Sequence, residues 1–185
     1  MAGYLNRMIV PARIEDGRWQ VSHCVQAVKK NSFHSILLIT GGRCKINLGV
    51  KNYLASSNDL IIIPEGAYYQ FAPSQYKTGF FLDFHPEYLF PLFKSNRLTE
   101  SFLFFERDAE HLIKLLGSDT EIIGELFAQI LREPDSSPEE RHNVLRYYIG
   151  ILLLKIKELF LPLARSLKRR QDRQCLLSRH FQHLV

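Results

Sequence analysis

The sequence changes rhythm once, and that change constrains the fold more than any other feature. Up to about Phe84 it consists of short runs rich in Ile, Leu, Val, Phe and Tyr, each bounded by Gly, Asn, Ser or Pro. From Pro86 on it reads as helices. Strands followed by helices, instead of alternating with them, predict an α+β chain and not a doubly wound parallel sheet. The runs cover residues 18–28, 34–40, 43–49, 51–55, 59–64, 67–72 and 77–84, with Gly41 and Gly42 as a turn between the second and third. Strands this short and this closely spaced suit a small antiparallel barrel. The chain thus divides into a barrel over 1–85, a helical region over 86–162 and a basic segment over 163–185.

The helical half carries its own start signals. Ser118 and Glu121 have the spacing of a capping box, followed by an apolar stripe of Ile122, Ile123, Leu126, Phe127, Ile130 and Leu131. Residues 133–138, EPDSSP, interrupt it. Ser137 then caps a second helix, with Pro138 in its first turn and Glu140 closing another capping box. This helix is expected over 138–161, with Pro162 ending or bending it. Leu145, Ile149, Leu152, Ile156 and Leu159 recur at heptad spacing. Tyr147, Tyr148, Ile151 and Leu154, with Lys155 beside them, lie on another side. A helix packed on one neighbour needs only one stripe. Two readings are therefore open: a helix buried in its own domain, or one with a face on the barrel and Tyr147, Tyr148, Ile151, Leu154 and Lys155 on a second copy of the chain.

Charge separates the same regions. From Lys155 on there are eight basic and two acidic residues, against sixteen and seventeen before it. The tail is either a solvated segment or a linker approaching a polyanion. No apolar run approaches the roughly 18 residues of a membrane span. The start, MAGYLNRMIVPARIEDG, has no long apolar core, and Cys24, Cys44 and Cys175 are odd in number with no CxxC spacing. These features fit a protein of the reducing cytoplasm and speak against both a disulfide framework and a zinc site.

Residues 58–73, NDLIIIPEGAYYQFAP, resemble the second motif of the cupin superfamily, G-x5-P-x-G-x2-H-x3-N. Pro64 and Gly66 match. Asn58 stands at the first Gly, Tyr69 at the metal-binding His and Pro73 at the Asn. In the first motif His34 falls at the Glu position if Gly41 is its Gly, and the H-x-H falls on Ala27 and Lys29 or on Val28 and Lys30. A first-row metal needs three or more converging N, O or S ligands. The substitutions therefore imply a barrel that binds no catalytic metal. There is also no GxSxG, HExxH, P-loop or GxGxxG, so no cofactor or catalytic class is indicated. His85 reads as a strand end before a short helix at Pro86. His111, His142, His180 and His183 read as surface residues.

A metal-free cupin followed by helices resembles the sensing domain of the AraC/XylS transcription regulators, over about residues 18–160. SILLITGGRCKINL, NDLIIIPEG and GFFLDFHPEYL carry the resemblance. LSRHFQHLV (177–185) resembles the opening of that family's DNA-binding domain, whose two helix-turn-helix units lie outside these residues. The resemblance implies a small-molecule effector, a homodimer, and DNA contact only through that further domain. Strand parity, with His34 and Tyr69 taken as inward, gives a lining of His34, Ile36, Leu38, Tyr69, Phe71, Phe80 and Leu82, with Lys29 or Lys30 as a further polar handle. Such a pocket suits a small apolar or aromatic effector, an acid rather than a bare sugar. The alternatives are a metal-independent isomerase or lyase using His34 and Tyr69 as acid and base, and a non-catalytic dimeric binding protein.

Overall fold

The computed structural model describes residues 8–15, 18–19, 28–72, 77–93, 98–132 and 137–182, with side chains of the last helix described as far as Ser166. The strands expected at 34–84 are present as β4 His34–Leu48, β5 Lys51–Ser56, β6 Asp59–Ile63, β7 Tyr68–Phe71 and β8 Lys77–Phe84. They are joined by β1 Ile9–Glu15, β2 Arg18–Trp19, β3 Lys29–Lys30 and β9 Leu112–Lys114. Every pairing is antiparallel. One sheet has the order β2-β1-β8-β4-β6-β9, and β4 continues into a second sheet between β5 and β7, with β3 beyond β7. Most of the run expected at 18–28 lies outside the described residues.

Gly41 and Gly42 do not make the expected hairpin turn. β4 runs straight through them for 15 residues, pairing with β6 and β8 before the glycines and with β5 and β7 after them. The register shifts between Ile39 and Gly41, and Gly42 has φ of 78°. The glycines form a bulge that bends one strand across the corner between two sheets. Asn58, at the first glycine position of the motif that residues 58–73 resemble, also has positive φ, 70°. Asn is the side chain that best tolerates this region, so the turn survives the replacement.

Two cores result, and they share a wall. Inside the barrel, Leu37, Ile39, Ile61, Ile63 and Phe81 of the first sheet meet Cys44, Ile46, Tyr53, Ala55, Tyr69 and Phe71 of the second. On the outer face of the first sheet, Ile36, Leu38, Leu60, Ile62, Leu82 and Phe84 pack under the helices. This explains why β6 is buried at every position and β4 at its first six: a strand covered on both faces reads as a continuous apolar run.

The covering layer begins, where a short helix was expected after His85, with a 3-10 turn, Pro86–Leu89, and the His85 side chain caps it by accepting from Glu87 N. There follow α1 Phe90–Phe93, α2 Leu98–Ser101, a second 3-10 turn Leu103–Phe105, α3 Gly117–Leu131 and α4 Pro138–Gln182. β9 lies within the region expected to be wholly helical. α3 starts one residue before the expected cap. Leu116 occupies the cap position with no side-chain bond, because the chain leaves β9 and enters the helix directly, so Ser118 is already in the first turn. The second capping box forms as expected: Ser137 Oγ accepts from Glu140 N at 3.3 Å, and Glu140 Oε2 accepts from Ser137 N at 3.2 Å. α4 is not ended at Pro162 but continues to Gln182. Pro162 is exposed, where water can take over the one backbone bond that proline forfeits. Among the described residues no helix is long and apolar enough to cross a membrane.

Gly79 is the tightest point of the shared wall. A Cβ there would lie 1.9 Å from the Leu38 carbonyl oxygen. Gly49 also has positive φ, yet nothing lies within 4 Å of its Cβ position. Gly79→Ala is expected to destabilise the fold by about 3 kcal/mol or more through overpacking, and Gly49→Ala by only about 1 kcal/mol through backbone strain. Urea unfolding of both variants checks the ranking.

Candidate functional site

The seven residues expected to line one cavity fall into two compartments. Tyr69 and Phe71 lie inside the barrel, their rings 5.6 Å apart. Ile36, Leu38, Phe80 and Leu82 face the other way, into the core beneath the helices, where Phe80 stacks on Phe127 at 5.5 Å. Parity had placed them inside with His34. The error is the assumed direction of His34: its neighbours Ser35, Leu37 and Ile39 point inward, so His34, Ile36 and Leu38 point out.

His34 is nonetheless a well-defined polar position. It is buried, with its ring 4.0 Å from that of Phe105 and 5.8 Å from that of Phe84. Its Nδ1 accepts a hydrogen bond from Glu65 N at 3.1 Å. Burial, and then repulsion from His85, push its pKa down to about 3. The ring is therefore a neutral imidazole across the physiological range. It opens onto a cleft of about 520 Å³ between the barrel rim and the helical layer, bordered by Glu65, Thr99, Phe105, Glu106 and Arg107. Tyr69 does not border this cleft. The acid–base pair that a metal-independent enzyme would need is thus divided between the two faces of the barrel wall. Among the described residues no three His, Cys, Asp or Glu side chains converge so as to hold a metal ion.

The polar group within the barrel is one that strand parity did not nominate. Ser35 and Asp83 are paired across β4 and β8, and both are buried. The Ser35 hydroxyl donates to Asp83 Oδ1. Asn31 Nδ2 donates to Ser35 Oγ at 2.9 Å and to the Ile63 carbonyl at 3.2 Å. Burial pushes the Asp83 carboxyl up to about 7 against the opposing effect of the Ser35 hydrogen bond. The signal was present: a Ser and an Asp interrupt the apolar runs SILLIT and FFLDF at positions that face each other in register.

α4 sorts its two apolar stripes cleanly. Leu145, Ile149, Leu152 and Ile156 are buried in the helix-side core, and Leu159 packs at its edge. Tyr147, Ile151 and Leu154 are 62%, 46% and 49% exposed, in line with Val144 at 41%. Tyr148 packs against the core instead of joining this exposed row. Lys155 pairs with Glu158 at 2.8 Å. His142 and His111 are buried, not on the surface as expected. Burial is also the leading cause that lowers both pKa values. The reason for His142 is Tyr88, whose hydroxyl lies 2.9 Å from His142 Nδ1. Arg146 donates to the Tyr88 carbonyl at 3.0 Å and lies over the Tyr88 ring. The side chain of His180 and the whole of His183 lie outside the described residues.

The family profile described as the AraC-like ligand binding domain matches residues 12–146. No curated protein matches the sequence. Among solved structures, an apo form of ToxT from Vibrio cholerae is similar over 82% of this chain and 56% of its own, at 9% identity and a TM-score of 0.46. The EutQ protein of Clostridium difficile is similar over 32% and 48%, at 23% identity and a TM-score of 0.29. The cupin domain of Cnp3 from Schizosaccharomyces pombe is similar over 41% and 50%, at 15% identity and a TM-score of 0.28. The chain spans about half the length of these proteins.

Asp83 and His34 act oppositely on stability against pH. A carboxyl whose folded pKa is raised to about 7 stabilises the fold in acid, and that contribution is lost as pH rises from about 4 to about 7. An imidazole lowered to about 3 does the reverse: its contribution is present above about 6.5 and is lost as pH falls toward 3. Between pH 4 and 6.5 the two nearly cancel. Asp83→Asn is expected to steepen the loss of stability in acid, and His34→Gln to flatten it, each by on the order of 1 kcal/mol per pH unit. Denaturant unfolding at pH 4.5, 5.5 and 6.5 measures both slopes.

Proposed function

The chain belongs to the AraC-like ligand binding domain family, and we propose that it is the effector-sensing and dimerising half of a one-component transcription regulator of that type, acting in the cytoplasm. Its effector is a small apolar or aromatic molecule held in the barrel. Tyr69 and Phe71 supply aromatic walls there, and the Asn31–Ser35–Asp83 group supplies a polar end. Apolar walls with a few polar groups are the usual make-up of such sites. His34, Ile36, Leu38, Phe80 and Leu82 answer to the effector from the far side of the wall, as the surface on which the helical layer rests. DNA is contacted through a further helix-turn-helix domain carried after α4.

The observation that carries this reading is the second stripe of α4. A soluble monomer has no use for a row of exposed Val144, Tyr147, Ile151 and Leu154 on a helix whose other side already completes the core. A two-fold pairing of α4 with its copy covers the row, with Lys155 and Glu158 at its margin, and the edge residue Tyr148 becomes buried further. An effector that binds one barrel arrangement better than another then shifts how two attached DNA-binding domains are held.

A screen of apolar and aromatic acids for a rise in melting temperature tests the sensing half of the reading. A hit whose effect survives Tyr69→Ala in a folded variant removes Tyr69 from the site. Response of a reporter in the intact regulator is expected to fall at least tenfold in the same variant.

Dimerisation has a sharper test, because the two faces of α4 are now distinguished. Ile151→Glu alters an exposed position, so it is expected to leave the fold within about 0.5 kcal/mol while converting the dimer to a monomer. Leu152→Glu puts a carboxylate into the core and is expected to cost ~3 kcal/mol or more. Light scattering and circular dichroism read both outcomes. A folded, dimeric Ile151→Glu variant moves the interface away from α4.

A further inference from the structure

The cleft beside His34 lies on the helix side of the shared wall, and none of the residues that border it belongs to the barrel core. Four stretches of chain enclose it: the start of β4 at His34, Glu65 after β6, α2 at Thr99, and residues 105–108. Its volume of about 520 Å³ is that of a small-molecule site.

Its charge is one-sided. Glu65, Glu106 and Asp108 border it against a single cation, Arg107. All four side chains are exposed, and among the described residues none of them is engaged in an ion pair. Three carboxylates and one guanidinium leave an excess of two negative charges around one concavity. Such a rim draws in a small cation and repels an anion. Among the described residues no three acidic or histidine side chains converge as a metal ion requires, so the rim suits the more spread charge of an organic cation.

An acidic rim alone would only gather solvent ions, but the floor of the cleft adds a directional group. His34 is 4% exposed, and its ring is wedged against Phe105. Its Nδ1 is occupied by the Glu65 N–H at 3.1 Å, so the neutral ring carries its proton on Nε2. Among the described residues no group accepts from Nε2. The atom is not sealed within the core, and it opens into the cleft that the ring borders. A donor without an acceptor is costly in so dry a place. An oxygen entering the cleft removes that cost.

We propose that this cleft binds a small organic ammonium ion with an oxygen acceptor next to its charged nitrogen, as in an α-amino amide. The ammonium sits among Glu65, Glu106 and Asp108, and the oxygen accepts from His34 Nε2–H. Neither half suffices: a plain ammonium leaves the imidazole donor unmet, and a neutral amide leaves the carboxylates unmet. This site and the barrel interior lie on opposite faces of β4, so either is occupied without the other.

The test is a titration of the full chain, isotopically labelled, with glycinamide hydrochloride, followed by backbone amide shifts and by the imidazole nitrogen signals of His34. Isobutylammonium, of the same shape without the oxygen, and acetamide, without the charge, are the controls. Saturable glycinamide binding is expected, with shifts centred on Glu65, Glu106 and Asp108 and a displaced Nε2 signal of His34. Isobutylammonium is expected to bind about fivefold more weakly and to leave Nε2 unmoved, and acetamide to show no saturable shifts. Glu106→Gln and Asp108→Asn alter exposed side chains and are expected to keep the melting temperature while each weakens glycinamide about threefold. No binding overturns the proposal, as does equal binding of either control, equal affinity in both variants, or a His34 ring that carries its proton on Nδ1. Shifts centred on Leu37, Tyr69 and Phe81 also overturn it, because they move the ligand into the barrel.

Discussion

Everything in this fold depends on one sheet being buried on both faces. Along β4 the side chains alternate between two environments that are both dry: Leu37 and Ile39 belong to the barrel, and Ile36 and Leu38 to the helix-side core. β6 and β8 repeat the pattern with Ile61 and Phe81 on one side and Ile62 and Leu82 on the other. Close-packed interiors transmit displacement because they have no slack to absorb it. A wall that serves two cores cannot shift toward one without loosening the other. Removing a single Ile or Leu from it leaves a cavity worth about 2–5 kcal/mol.

That wall is also how the barrel and α4 come to be mechanically joined. β8 carries Phe81 and Asp83 toward the barrel and ends at Phe84. The chain then turns at once through His85 into the 3-10 turn that holds Tyr88. Tyr88 is almost wholly buried, and it meets α4 at His142 and Arg146 through its hydroxyl, its ring and its carbonyl. Those contacts sit one to two turns before Ile149 and Ile151, where α4 has its inner seam on one side and its exposed row on the other. The path from inside the barrel to the outer face of α4 therefore runs through one strand, one turn and one aromatic side chain. Each link is packed or hydrogen-bonded, which is the physical condition for coupling between two sites.

Much of the fold was legible because it follows from local chemistry. Bounded apolar runs gave β5 to β8, the Ser137–Glu140 spacing gave the start of α4, and the heptad seam gave its buried face. The misses have a common origin in tertiary context. Gly41-Gly42 is as good a hairpin signal as a bulge signal, and only the pairing partners of β4 distinguish them. β1 escaped notice because Pro11 interrupts it. Among the described residues β2 pairs only with Ile14 and Glu15, and a proline is best tolerated where a strand lacks a full second neighbour. The site was less legible than the fold for a sharper reason. When both faces of a strand are buried, periodicity reveals that residues alternate but not which set faces which core. A single wrong assumption about His34 therefore reversed Ile36 and Leu38 with it.

The polar residues of the wall show how it stays compatible with both cores. Ser35 and Asp83 face the barrel, while His34, adjacent in sequence, faces the helices. Burial penalises the charged form of each ionisable group, so it raises the carboxyl and lowers the imidazole. Each is driven toward its neutral form, and each is hydrogen-bonded: Asp83 to Ser35, His34 to the Glu65 backbone. A buried hydrogen-bonded neutral group costs far less than a buried ion. The wall can thus present a carboxyl to the barrel and an imidazole to the helix junction, with the imidazole bringing no charge into the helix-side core and the carboxyl held close to its neutral form. The polar groups of this stretch thus diverge, with the Ser35–Asp83 pair on the barrel face and the His34 ring on the helix face, instead of converging on one point.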